Sequence, residues 1–169
     1  MRETQSWDPV ELERRRRLGD SCFKVMAGNR CIHYSWATER RRVVAEIGYR
    51  ADLGDQMMWI YDCYTAPSHR GNAIFPRVIE HIMDDAKKRD VRSVWIDVDE
   101  DNQASLRAVR KAGFAPAALL SRTIALSSIT VEKDRVALRN GYGDMFRRMP
   151  YAWESDRYTA FRESSVHAG

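Results

Sequence analysis

Cysteine is scarce in this sequence, and no grouping of cysteines suits a metal ion. Cys22, Cys31 and Cys63 are odd in number and lack the spacing of metal ligands. We therefore expect free thiols, no metal, and a reducing compartment, which implies a cytoplasmic protein.

Long apolar runs are also missing. No uncharged run approaches the ~20 apolar residues of a membrane span, and the first six residues lack the apolar core of a secretory signal. Without a repeat or a linker, we predict one domain over residues 1–169, with its core at 20–140 and a C-terminal tail of unclear role at 141–169.

What is present indicates a soluble globular protein that is mildly basic. The 169 residues are 44% hydrophobic and 31% charged, with a net charge of +4. This charge favours an anionic ligand, or nucleic-acid contact through the arginine runs at 14–17 and 40–42. A solvated surface is the interpretation we favour for both runs, and in the run at 14–17 a helix distributes the consecutive arginines around its axis.

The pattern of apolar and turn residues predicts alternating strands and helices. Asp8 and Pro9 begin a helix that Gly19 ends, with Glu11 completing a capping box. The predicted strands are 22–26, 31–36, 42–50, 57–65, 91–98, 118–131 and 135–138, and the predicted core helices begin at Ile74 and Gln103.

The unit from 57 to 98 is strand, helix, strand, and a right-handed crossover makes its two strands parallel. The other strands form antiparallel hairpins. We therefore predict an α/β fold: a mixed, mostly antiparallel sheet with a central parallel strand pair and flanking helices.

Two loop-to-helix junctions indicate a ligand site. The turn from Pro67 to Phe75 ends at a helix N-terminus, where free backbone N–H groups bind phosphate. Asn102 and Ser105 open the next helix, at a second junction of the same kind. Together they predict a ligand that carries a pyrophosphate.

These two segments carry a resemblance to a known family. Arg70-Gly71-Asn72-Ala73-Ile74 is similar to the Arg-Gly-x-Gly-Ile turn of the GNAT superfamily of acyl-CoA-dependent N-acyltransferases. Asn102-x-x-Ser105, followed by Lys111-x-Gly113-Phe114, resembles its second motif. The resemblance covers residues 59–114, about a third of the chain.

The resemblance implies a GNAT-like acyltransferase with acetyl-CoA as co-substrate and no metal. An acetyl group would pass directly, in a ternary complex, to a primary amine of a small molecule or peptide. The residues it assigns to the co-substrate are Tyr64, Thr65, Arg70, Gly71, Asn72, Ala73, Ile74, Phe75, Asn102, Ser105 and Lys111. It is also compatible with a homodimer. GNAT domains usually begin with one more strand, so either that strand is missing here or a late segment supplies the sheet edge.

The chain departs from the family pattern at three positions. Ala73 replaces the second glycine of the turn, a modest change if its φ is negative, and Phe75 replaces a small residue. Val109 stands where the family often has a tyrosine that protonates the leaving thiolate.

Proton transfer to and from the reactants needs other side chains. Asp62 is the first candidate for the base, Glu46 the second, and Asp97 or Asp99 the third. The leaving group could be protonated by Tyr64, Tyr61, Ser105 or water, or leave unassisted as a thiolate. Cys63 is expected in the core rather than as a nucleophile.

The acceptor can be characterised only by charge. Asp62 and an acidic cluster at Asp97, Asp99, Glu100 and Asp101 would attract a cationic amine, unless the cluster is a solvated loop. Two alternatives stay open: an aminoacyl-tRNA-dependent transferase on the same fold, and a non-catalytic CoA-binding module. We expect neither a membrane nor, on the leading interpretation, a nucleic acid as partner.

Overall fold

The computed structural model describes residues 8–44, 49–123, 128–133, 146–148 and 158–163. Their elements, in chain order, are α1 (Pro9–Leu18), β1 (Ser21–Ala27), β2 (Arg30–Thr38), β3 (Arg41–Val44), β4 (Tyr49–Asp52), β5 (Met57–Thr65), α2 (Ile74–Lys88), β6 (Ser93–Asp99), α3 (Gln103–Lys111), β7 (Phe114–Thr123), β8 (Ser128–Lys133), β9 (Phe146–Arg148) and β10 (Tyr158–Glu163).

A seven-stranded sheet organises these elements, in the order β1-β2-β5-β6-β10-β7-β8. Among the described strands, β5 and β6 form the one parallel pair, from Met57↔Ser93 to Ile60↔Ile96. All the other described pairings are antiparallel. The predicted mixed sheet with a central parallel pair and flanking helices is therefore confirmed.

The two faces of the sheet carry different cores, because side chains alternate along each strand. Met58 and Ile60 of β5 face the apolar stripe of α2, whose buried members are Val78, Ile79, Ile82, Met83 and Ala86. Trp59 and Tyr61 point to the other face, where aromatic residues dominate. Trp59 stacks there on Trp95, with ring centroids 5.7 Å apart.

The first helix packs on the aromatic face but buries none of its own residues. Its ends follow the prediction: the Asp8 carboxylate accepts from the Val10 N–H, Pro9 is the first helical residue, and Gly19 ends the helix at φ 80. The capping box differs, because Glu11 accepts hydrogen bonds from Arg14 and Arg15.

Two predicted strands are wrong in their extent. The single strand at 42–50 is instead β3 and β4, an antiparallel pair that forms a separate three-stranded sheet with β9. The strand at 118–131 is instead the antiparallel pair β7 and β8. Apolar runs alone carried no signal for the reversals inside them. Glu46 and the strand predicted at 135–138 lie outside the described residues.

The C-terminal part contributes an internal strand rather than an edge. Strand β10 pairs with β6 on one side and with β7 on the other. Two alternatives are open for the family's first strand: that it is missing, or that a late segment supplies a sheet edge. Strand β10 does not supply one, and the described sheet ends at β1 and β8. Within the described residues, no helix is long and apolar enough to cross a membrane.

Candidate active site

The parallel strands β5 and β6 separate in the middle of the sheet. Their pairing ends at Ile60↔Ile96, although β5 continues to Thr65. On its other side β5 contains an extra residue, because Tyr34 faces Tyr64 while Trp36 faces Tyr61. Asp62 lies in this bulge with a φ of 46. The bulge redirects the end of β5 and leaves a gap beside β6.

A cavity of about 480 Å³ opens where the strands part. The end of β5, the turn before α2 and the start of α3 all contribute to its wall, so the two segments predicted from the sequence meet in one place. The lining residues are His33, Cys63, Tyr64, Thr65, His69, Arg70, Gly71, Ala73, Ile74, Phe75, Pro76, Asn102, Ala104, Ser105, Arg107 and Ala108.

The turn before α2 has the features of an anion site. No side chain caps the N-terminus of α2, so its first N–H groups lack the usual side-chain acceptor. Gly71 has a φ of 82, with open space where a Cβ would lie. The Arg70 Nε donates to the Thr65 carbonyl at 3.0 Å, and the Asn72 amide donates to the His69 carbonyl at 3.3 Å. These two side chains hold the shape of the turn.

Ala73 corrects an expectation about this turn. We expected a negative φ there, but the residue is left-handed with φ 54. This is the conformation in which a glycine carries no steric cost. The replacement of the family's second glycine is therefore strained.

The opposite wall comes from the first turns of α3. Asn102 caps the helix, because its side-chain oxygen accepts from the Ser105 N–H at 3.1 Å. Lys111, assigned to the co-substrate from the resemblance, is not among the described residues that line the cavity, and it lies about 9 Å along the helix from Ser105. Arg107 lines the cavity instead. Arg107 and Ala108 follow Ala104 by three and four residues, so they share one face of the helix. That spacing could have identified Arg107 from the sequence.

Sequence reasoning also missed His33 on β2. This side chain is 1% exposed and lines the cavity. Its Nδ1 lies 2.7 Å from the Thr65 hydroxyl and its Nε2 lies 2.9 Å from the Ser35 hydroxyl. Burial lowers the pKa of His33 to about 4, so the ring is neutral at pH 7. His33 reaches the site because β2 pairs with β5 so that His33 lies opposite Thr65. The sequence alone does not predict that register.

On the aromatic face, next to the gap, Asp62 is paired with α1. Its carboxylate accepts a hydrogen bond from the Arg15 guanidinium at 2.5 Å. Asp62 is not among the described residues that line the cavity. The Arg15 guanidinium lies 4.9 Å from the Trp36 ring centre and 5.1 Å from that of Tyr61. An aromatic and acidic pocket thus holds a cation that belongs to the chain itself.

One member of the predicted acidic cluster is already paired within the protein. The Asp97 side chain is 7% exposed and forms a double hydrogen bond with the Arg42 guanidinium, at 2.9 and 3.0 Å. It also accepts from the Trp59 ring N–H at 2.5 Å. Asp97 is therefore already neutralised by protein groups.

Other candidates for proton transfer differ in what surrounds them. Tyr64 lines the cavity and stacks on Tyr34, with ring centroids 5.6 Å apart. Burial and the hydrogen bond that Tyr61 donates to Asp20 at 2.6 Å raise the pKa of Tyr61 well above its usual value. Val109 is fully buried and takes no part in the cavity wall.

Two further expectations concern a cysteine nucleophile and a metal ion. Burial raises the pKa of the Cys63 thiol to about 12, which disfavours a thiolate nucleophile. Among the described residues, no group of three or more histidine, cysteine, aspartate or glutamate side chains is placed to hold a metal ion.

Comparison with curated proteins adds a relative of known activity. The chain is 34% identical over 71 residues to streptothricin acetyltransferase of Streptomyces lavendulae. The match spans 42% of this chain but only 36% of that protein.

Solved structures share the fold. The ribosomal-protein-S18-alanine N-acetyltransferase of Escherichia coli aligns with 96% of this chain and 80% of its own, at a TM-score of 0.61 and 12% identity. A putative acetyltransferase of Salmonella typhimurium, solved with its cofactor acetyl-CoA, aligns with 95% of this chain and 73% of its own, at a TM-score of 0.57 and 14% identity.

The sequence profile of the acetyltransferase (GNAT) family matches residues 2–114, about two thirds of the chain. That range holds the end of β5, the turn before α2 and the start of α3, which line the cavity. The resemblance read from two short motifs is therefore confirmed, and the chain belongs to the acetyltransferase (GNAT) family of acyltransferase enzymes.

Proposed function

We propose that this protein transfers an acetyl group from acetyl-CoA to a primary amine of a small molecule or peptide, within a ternary complex. One observation carries the proposal. The turn at 70–75 and the start of α3 line a single cavity beside the separated strands β5 and β6. This arrangement offers an anion site and an exposed strand edge to one extended ligand.

The cavity fits the chemistry of acetyl-CoA at both ends. The uncapped N-terminus of α2 presents N–H groups and a positive helix end to a pyrophosphate. Arg70 and Arg107 add positive charge on its walls. The backbone of Tyr64 and Thr65, freed from pairing with β6, provides hydrogen-bonding groups for the amides of a pantetheine arm.

The transfer step needs one proton acceptor and one donor. We assign Asp62 as the carboxylate that takes a proton from the acceptor ammonium, directly or through water. The amine nitrogen then bonds to the thioester carbon, and the carbon–sulfur bond breaks. We propose that Tyr64, a residue of the cavity wall, protonates the departing sulfur. The proton that the nitrogen loses as the amide forms then restores the Tyr64 hydroxyl through water.

Similar proteins support acetyl-CoA as the donor, and their names indicate two classes of acceptor. A solved relative contains acetyl-CoA and another contains CoA. One relative is named for streptothricin, a small molecule, and another for the alanine of a ribosomal protein.

The test compares two glycines in the same conformation. Gly71 lies in the turn, and Gly28 lies in the β1–β2 hairpin with a φ of 58; both have open space where the methyl group of an alanine would lie. An alanine at either position is strained by about 1 kcal/mol or more. Calorimetric titration with acetyl-CoA should give a Kd near the micromolar range, about −8 kcal/mol, for the natural protein.

We expect Gly71→Ala to weaken acetyl-CoA binding about tenfold, which corresponds to a loss of about 1.4 kcal/mol in binding free energy. Gly28→Ala should bind as the natural protein does. Thiol release with a panel of primary amines then identifies turnover. Absence of acetyl-CoA binding, or equal loss in both variants, would contradict the proposal.

A further inference from the structure

The Arg15 side chain behaves unlike its neighbours in the arginine run. All four arginines form ion pairs with Glu11 or Glu13 of their own helix. Of the four, Arg15 has a side chain that is only 14% exposed and that also reaches the sheet, where it pairs with Asp62. It also contacts the faces of Trp36 and Tyr61.

The pocket that Arg15 fills is suited to a cation in general. Two aromatic faces and a carboxylate bind a guanidinium or an ammonium group through cation–π attraction and charge. Trp36 and Tyr61 are each 6% exposed, so the rings are fixed by packing. The second guanidinium at Tyr61, that of Arg42, is 4.8 Å from the ring centre and is held by Asp97. The carboxylate of Asp62 is instead paired with Arg15.

The pocket lies where the second substrate must arrive. Asp62 directly precedes Cys63, Tyr64 and Thr65, which line the co-substrate cavity. It is in the bulge of β5, at the gap between β5 and β6, and faces α1 rather than α2. The Arg15 pocket thus lies beside the gap, on the face of the sheet that carries α1 rather than α2.

The helix that carries Arg15 has only a small apolar contact with the sheet. Helix α1 buries none of its residues, and Leu12 is its partly buried apolar contact with the aromatic cluster. Removing Arg15 from the pocket therefore costs little apolar burial. The exposed arginines of α1 keep their pairs with Glu11 and Glu13 when Arg15 leaves.

We propose that Arg15 occupies the cation subsite of the acceptor, and that the acceptor is a molecule with a second positive group besides the amine that is acetylated. This inference rests on the proposed function, whose acceptor it narrows to dications such as diamines and guanidino-amines. The second cation displaces Arg15 from the rings of Trp36 and Tyr61. Asp62, released from its pair with Arg15, then faces the reacting amine at the gap.

The experiment uses agmatine, putrescine and butylamine as probes. Agmatine carries a guanidinium and an amine, putrescine two amines, and butylamine one amine on a chain of the same length. Each probe is titrated into the full chain, with and without saturating CoA. The affinity of the subsite for each probe is therefore measured even if CoA fails to bind.

Arg15→Ala is the main variant, and Arg16→Ala on the same helix is its control. Arg16 is exposed and pairs with Glu13. We expect Arg15→Ala to bind agmatine and putrescine about tenfold more tightly, since a cation–π contact and an ion pair no longer compete. Arg16→Ala should match the natural protein, and butylamine should gain the least. Adding Asp62→Asn to Arg15→Ala should remove the gain.

Three outcomes separate the claims. Unchanged dication affinity in Arg15→Ala overturns the inference, whether or not CoA binds. Loss of CoA binding with a retained dication gain overturns the proposed function, and the pocket is then a dication site that serves no acetyl acceptor. If Arg15→Ala melts at a lower temperature, the same titrations are made with Arg15→Gln, which keeps most of the length of the side chain. If neither variant binds the dications more tightly, the inference is overturned.

Discussion

At the scale of single residues, the turn before α2 contains a strained alanine. Ala73 adopts φ 54, where a Cβ approaches the following carbonyl oxygen. We expect Ala73→Gly to raise the free energy of unfolding by about 0.5–1 kcal/mol, because relief of this strain exceeds the extra chain entropy of glycine. Urea unfolding measures the change.

Ala108 supplies the matched control for that variant. It lines the same cavity but lies inside α3, where a glycine costs about 0.5–1 kcal/mol. Ala108→Gly should therefore lower stability while Ala73→Gly raises it. A loss in both variants would show that Ala73 is not strained.

Residue-level reasoning from the sequence found the parts of the site that local chemistry determines. The glycine and the helix start of the turn, and the Asn102 cap, are recognisable from residue types alone. His33 reaches the cavity only through strand register, and Arg15 reaches Asp62 across 47 residues of sequence. Long-range pairing of this kind leaves no local pattern.

At the scale of elements, the two capped helices differ in their coupling to the core. Helix α3 buries Leu106 and Val109, whereas α1 buries no residue. We expect Asn102→Ala to lower the global free energy of unfolding by about 1 kcal/mol, since the cap stabilises a packed helix. Asp8→Ala removes an equivalent cap from α1 and should leave global unfolding unchanged.

Two measurements distinguish these effects. Urea unfolding reports the global free energy, and amide hydrogen exchange reports fraying of α1 alone. Asp8→Ala should speed exchange within α1 only. An equal global loss in both variants would mean that α1 unfolds together with the sheet.

Element prediction succeeded where burial and periodicity agree. The stripe on α2 and the apolar strand β5 have the bounds and faces that their patterns indicate. It failed at 42–50 and 118–131, because apolar residues continue on both sides of each chain reversal. The turn-type residues there, Gly48 in the first segment and Ser127 and Ser128 in the second, were too few to outweigh that pattern. The place of β10 inside the sheet depends on pairing with two distant strands, which composition does not encode.

At the scale of the whole molecule, two sources of positive charge act on an anionic co-substrate. The net charge of +4 acts at long range, whereas Arg107 acts from the cavity wall. Arg110 is on the same helix, exposed, and not among the described lining residues. Arg107→Gln and Arg110→Gln each remove one positive charge, so they change the long-range field equally and the local field differently.

We expect Arg107→Gln to weaken acetyl-CoA binding about fivefold at about 0.1 M salt, while Arg110→Gln stays close to the natural protein. The difference should shrink at about 1 M salt, where the screening length falls to about 3 Å. Calorimetric titration at both salt concentrations measures this. Equal weakening by the two variants would mean that net charge, rather than the wall of the cavity, attracts the co-substrate.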